Sequence, residues 1–127
     1  MCPHQPSRPR VLLGNLAPIV RLGMTDLLGE DGVEVIGAET RPQALLLLAG
    51  RLQPDAIVLD LGDAASRPLA DRVRAAAPGA TVVLWARDED AVEVLEPGAD
   101  SPLRFEDEAT DVLRRAVIAS HVNRVEE

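Results

Sequence analysis

The sequence is short of several things that decide chemistry. It has one cysteine, Cys2, so neither a disulfide framework nor a cysteine zinc site can be built, and a reducing cytoplasm fits. Aromatic side chains are almost missing: one tryptophan, one phenylalanine and no tyrosine, so Trp85 and Phe105 are the entire aromatic content. Positive charge is in deficit. A formal charge of -8 and an isoelectric point near 4.7 argue against direct grip on a phosphate backbone, which takes a basic stripe. No apolar run approaches the length of a membrane span, and residues 1–10 are polar and proline-rich where a signal peptide has an apolar core. His4 and His121 read as lying in tails, the chain fraying from His121 onward, and no Ser-His-Asp, Cys-His or paired-carboxylate arrangement emerges.

What remains is ordinary globular composition, 46% hydrophobic and 27% charged, in 127 residues, enough for one buried core. The central stretch is Pro54-Asp55-Ala56-Ile57-Val58-Leu59-Asp60-Leu61, an apolar run that ends on a carboxylate. Such a run reads as a strand covered on both faces, in the middle of a parallel sheet. Asp60 then stands at the strand's carboxyl end, where open α/β sheets leave a crevice for ligands and chemistry. A second reading, a loop or capping aspartate, stays open at this point.

Residues 1–9, with prolines at 3, 6 and 9, read as an extended or disordered leader, 10–122 as one domain, and 123–127 as a tail or the start of a linker. Within the domain, strands are expected at residues 10–14, 33–38, 56–60, 81–85 and 103–105. Helices are expected from Pro18 to about Leu28, after a Thr40 cap to about Leu52, from about Pro68, from Glu89 to Leu95, and over the stripe Ala109, Val112, Leu113, Ala116, Val117. This is a βα unit repeated five times. It implies a parallel five-stranded sheet with helices on both faces, in the flavodoxin-like order 2-1-3-4-5. The strand ends near Asn15, Asp60 and Trp85 would converge on one crevice. The acidic runs Asp88-Glu89-Asp90 and Glu106-Asp107-Glu108 precede expected helices, so they suit helix N-termini better than a metal.

Five ordered segments carry a family resemblance: Arg10-Val11-Leu12-Leu13; Pro18-Ile19-Val20-Arg21 with Gly23; Pro54 to Leu61; Val82-Val83-Leu84; and Gly98-Ala99-Asp100. Over about residues 10–120 the chain resembles a response-regulator receiver domain of the nitrate-regulator subfamily, which is usually followed by a helix-turn-helix DNA-binding domain. The resemblance implies a switch in which a kinase phosphorylates an aspartate, here Asp60, beside a divalent cation held by acidic neighbours.

The other positions depart from the pattern. Asn15 and Leu16 stand where the family has an acidic pair, Trp85 where it has Thr or Ser, and Phe105 where it has Lys; the loop from Leu61 to Pro68 is short. Magnesium wants several hard oxygen ligands, and Asn15 offers one while Leu16 offers none. Phe105 cannot hydrogen-bond to a phosphoryl oxygen, and strand alternation turns Arg104 to the opposite face. The losses agree with one another in charge. The expectation is therefore an atypical receiver, not an enzyme, with a vestigial Asp60, weak or absent magnesium binding and no cofactor, the two rings filling or roofing the notch. It would act on transcription by phosphorylation-independent contact or dimerisation with an attached or partner DNA-binding domain. In the resembled family, dimers use the fourth helix, fifth strand and last helix, here Val92, Leu95, Leu103 and Val112, or the first and last helices. Two alternatives stand beside it: a small-molecule site at Trp85 and Phe105, and a conventional receiver phosphorylated on Asp60.

Overall fold

The computed structural model describes residues 8–125, with side chains through residue 122. Among these residues are six strands and four helices: β1 (Arg10–Leu13), α1 (Pro18–Glu30), β2 (Glu34–Ala38), α2 (Pro42–Leu52), β3 (Ala56–Asp60), α3 (Ser66–Ala76), β4 (Thr81–Ala86), β5 (Ala91–Leu95), β6 (Leu103–Phe105) and α4 (Ala109–Val125). One mixed sheet takes the order β2-β1-β3-β4-β5-β6. The first four strands run parallel, as the apolar runs led one to expect, and Ala56 to Leu59 are fully buried between two parallel neighbours.

Alternation along each strand divides the core. Val11, Leu13, Val58 and Val83 face one side, where Met24 and Leu28 of α1 and Leu113 and Val117 of α4 cover them. Leu12, Ile57 and Leu59 face the other, under Leu45 of α2 and Leu69 and Val73 of α3. A bidentate pair from Arg114 to Asp31, 2.6 and 2.7 Å, ties α4 to the end of α1. Gly14 leaves room for close packing where β1 ends: its N–H donates to the Val58 carbonyl at 2.8 Å, and a Cβ there would force the Leu59 side chain to shift.

The expected fourth helix, Glu89 to Leu95, is a correction. Those residues make a hairpin: Arg87–Asp90 turn the chain, and β5 returns antiparallel to β4, with Ala86 opposite Ala91 and Leu84 opposite Glu93. Asp90 takes a left-handed φ of 46°, which an Asp tolerates in a turn. The segment is too short for a stable helix, and its β-branched Val92 and Val94 fit a pleated surface better. β6 then pairs antiparallel to β5 and forms the edge. The sheet is mixed and six-stranded, so the expected all-parallel five-stranded arrangement does not hold.

Two smaller corrections concern helix ends. Thr40 does not cap α2; Arg41 occupies that position without a side-chain hydrogen bond and Pro42 opens the helix. His121 lies within α4 rather than in a fraying tail, its Nδ1 3.1 Å from the buried carboxylate of Asp55. His4, Cys2 and most of the expected leader lie outside the described residues, but Pro9 already accepts a hydrogen bond from the Glu34 N–H at 2.8 Å.

Candidate functional site

The carboxyl ends of β1, β3 and β4 do converge. Asn15, directly after β1, is the hub. Its carbonyl oxygen accepts the Asp60 backbone N–H at 3.1 Å, and its amide donates to Ser66 Oγ at 2.8 Å and Asp63 Oδ2 at 3.1 Å. Ser66 is fully buried at the start of α3 and donates to the Asp60 carbonyl at 2.5 Å. Asp63 also accepts the Ala65 N–H on its other oxygen at 2.9 Å. Asp60 folds one oxygen back onto the Gly62 N–H at 2.9 Å, and its strand neighbour Trp85 accepts the Leu61 N–H at 3.0 Å.

Asp63 and Ser66 escaped sequence reasoning, which placed Asp60 as the sole carboxylate of the crevice. The signal was local: an Asp followed three residues later by Ser, opening a helix, marks side chains that bond to nearby backbone. A second overlooked signal is that all 13 basic residues are arginine, so no position could supply the ammonium a receiver uses.

The donor set does not suit magnesium. Asn15 Oδ1, Asp60 Oδ1 and both Asp63 oxygens each accept a hydrogen bond from the protein, and Asp60 Oδ2 is the one carboxylate oxygen among them without a protein donor. A hard cation needs several oxygens arranged octahedrally. Among the described residues no three His, Cys, Asp or Glu side chains are grouped to hold a metal.

Leu16 is buried in the core beneath α1, and Trp85 is 8% exposed beside it. The indole Nε1 is buried and has no hydrogen-bond partner among the described residues. The notch is not filled, however. A cleft of about 410 Å³ remains beside Asp60, walled by Leu16, Ala17, Val20, Trp85 and Arg87.

Phe105 does not share this cleft, which corrects the expectation that the two rings close one pocket. Trp85, Val92 and Phe105 stand opposite one another across β4, β5 and β6, so they share a face but Val92 lies between the rings. Two strand spacings put them roughly 10 Å apart. The inserted strand β5 is the reason: it moves the last strand one place outwards. Phe105 instead lines a separate apolar groove against α4, with Leu103, Val94 and Val112.

The candidate dimer face is also redistributed. Val92 and Leu95 are buried in β5 and offer no surface, whereas Leu103 is 57% exposed and Val112 half-buried at the groove. Arg104 points away from Phe105, as alternation requires, and with Arg67 it grips Glu93. Arg67 contributes two bonds of 2.6 and 2.7 Å and Arg104 one of 2.8 Å to a carboxylate only 3% exposed. The guanidinium of Arg67 first, then that of Arg104, holds the Glu93 carboxyl below its ordinary range against the opposing effect of burial.

Compared with protein-family models, with curated proteins and with solved structures, the chain matches none. None of the four helices is long and apolar enough to cross a membrane, among the described residues.

Proposed function

We propose that the chain is a pseudo-receiver: a regulatory module, resembling a response-regulator receiver, that acts on an attached or partner DNA-binding domain by protein contact without aspartyl phosphate. The observation that carries this reading is the placement of Asn15. Its carboxamide stands where a phosphorylatable site needs a metal-binding carboxylate, and it is locked there by bonds to Asp60, Asp63 and Ser66. The order of the first four strands and the position of Asp60 at the end of β3 support the resemblance. Incubation with magnesium and a small phosphodonor, read by intact mass, tests it. No phosphate adduct is expected; an adduct that disappears in Asp60→Asn would establish a conventional receiver instead.

A second reading has its own observation. The cleft beside Asp60 and the unpaired indole N–H of Trp85 suit a small ligand of mixed polarity. As the sole tryptophan, Trp85 reports directly, and unchanged emission across a metabolite panel would remove this reading.

A further inference from the structure

The strand β6 ends the sheet, and among the described residues no strand lies against its outer edge. Its side chains alternate. Leu103 and Phe105 face the α4 side, 57% and 40% exposed, while Arg104 faces the other side between Glu93 and Glu106. α4 packs on the inner strands and stops short of covering β6, which leaves an apolar groove of about 280 Å³ between them. Arg115 lines that groove and has no ion-pair partner among the described residues. Ile118 and Val122, 42% and 48% exposed, lie further along α4, outside the groove lining.

We propose that this edge pairs with the same edge of a second copy of the chain, antiparallel, about a two-fold axis through Phe105, so that two sheets become one. Charge complementarity selects both occupant and register. Opposite residues in an antiparallel pair share a face, so an exposed strand has few ways to meet itself with its apolar side kept together. A register centred on Arg104 sets two guanidiniums face to face, which is unfavourable. A register centred on Leu103 brings Pro102, which lacks an N–H, into the new ladder. Centred on Phe105, the two phenyl rings meet, and Arg104 of each copy lies opposite Glu106 of the other, twice by symmetry.

Within one chain Glu106 already stands 3.0 Å from Arg104, so the crossing extends an existing ion pair rather than creating an isolated one. The acidic run Glu106-Asp107-Glu108 of each copy also approaches the unpaired Arg115 of the other. Both α4 helices fall on the same face of the joined sheet, one on either side of the seam, with the two phenyl rings and Leu103 from each copy between them. The contact would bring two such modules together, but it stands on β6 and α4 alone, and the phosphate experiment does not bear on it.

Cross-linking in a Cys2→Ser background tests the register. Phe105→Cys puts two Cα atoms on the axis about 4.5–5.5 Å apart, within disulfide range. Leu103→Cys leaves them about 14 Å apart, out of reach. The expected results are a light-scattering mass of twice 13.6 kDa for the unmodified chain, a disulfide dimer on mild oxidation of Phe105→Cys, and none from Leu103→Cys. Glu106→Arg, at a side chain 72% exposed, should give a monomer with unchanged far-ultraviolet circular dichroism. A monomeric unmodified chain, a dimer that Phe105→Cys fails to trap, equal trapping at residue 103, or a groove occupied only by a different protein would each overturn the proposal.

Discussion

The parallel part of the sheet and its antiparallel extension handle buried polarity in opposite ways. At the carboxyl edge of β1 and β3 a neutral carboxamide, Asn15, serves as donor and acceptor at once and satisfies Asp60, Asp63 and Ser66. On β5, by contrast, a full negative charge sits inside the protein and two guanidiniums reach in to meet it. Neutral closure joins loops 45 to 51 residues apart by directed hydrogen bonds. Ionic closure joins β5 to partners 26 residues before and 11 after, and it fails sharply when one partner is removed. The region that carries the resemblance, around Asp60, is thus closed by a neutral side chain, and the region that departs from the five-stranded expectation carries an ion pair on a buried carboxylate.

The largest effect should come from breaking the charged side of this contrast. Glu93→Ala removes the anchor of Arg67 and Arg104 and opens a hole between Leu84 and Leu95. It is expected to cost about 3 kcal/mol in urea unfolding, the low end for a buried pair because both guanidiniums can return to water. Glu93→Leu, which fills the volume, should cost much less. Acid should expose the same pair. A carboxyl held lower in the folded state than in the unfolded one contributes its stabilisation fully above the unfolded value, here 4.5, and loses it as pH falls through the folded value. Glu93→Gln should therefore flatten the fall in stability at acid pH. Part of the fall will remain, because Asp31 beside Arg114 and Glu39 beside Arg41, the latter lowered to about 2, act in the same direction.

The region around Asp60 can be given a third carboxylate by one substitution. Asn15→Asp places a carboxylate oxygen where an amide now donates to Asp63 at 3.1 Å, so two anions meet and the Ser66 bond loses its donor. A loss of about 2 kcal/mol is expected. The variant then has three carboxylates around the crevice, and millimolar magnesium should recover part of its melting temperature while leaving the unmodified chain unmoved. Equal responses to magnesium in both would mean that the carboxamide does not close the site.

How much of this was legible beforehand follows from the range of the interactions. β1, β3 and β4 announce themselves by unbroken apolar runs, β2 by alternation and β-branched residues, and Asp60 by its place at the end of β3. Pro18 marks the start of α1. Ala91 to Leu95 misleads because Glu93 interrupts an otherwise apolar segment and an acidic triplet precedes it, the pattern of a helix start. The partners that make Glu93 tolerable stand 26 residues before it and 11 after, where no local pattern can indicate them. Asn15 was singled out, but its partners Asp63 and Ser66 lie on another loop, 48 and 51 residues away. Trp85 and Phe105 were expected at one notch, and the strand between them, β5, is one whose sequence reads as a helix.

The smallest expected effect lies at the join between the two regions. Asp90, in the β4–β5 turn, was expected to favour the helix that follows it directly. It serves a more distant one instead: its carboxylate accepts the Ala109 N–H at 2.9 Å and the Glu108 N–H at 3.3 Å, so the hairpin caps α4 across space. Two effects coincide at this residue, the cap and the left-handed φ of 46°. Three substitutions separate them by thermal melting. Asp90→Asn retains an oxygen acceptor and tolerance of that backbone and should lie near the unmodified chain. Asp90→Gly loses the cap but relieves the backbone. Asp90→Ala loses both and should cost about 1 kcal/mol. If Gly and Ala fall together, the cap accounts for the whole loss; if Gly melts with the unmodified chain, the turn's conformation does, and α4 is held by its apolar stripe alone.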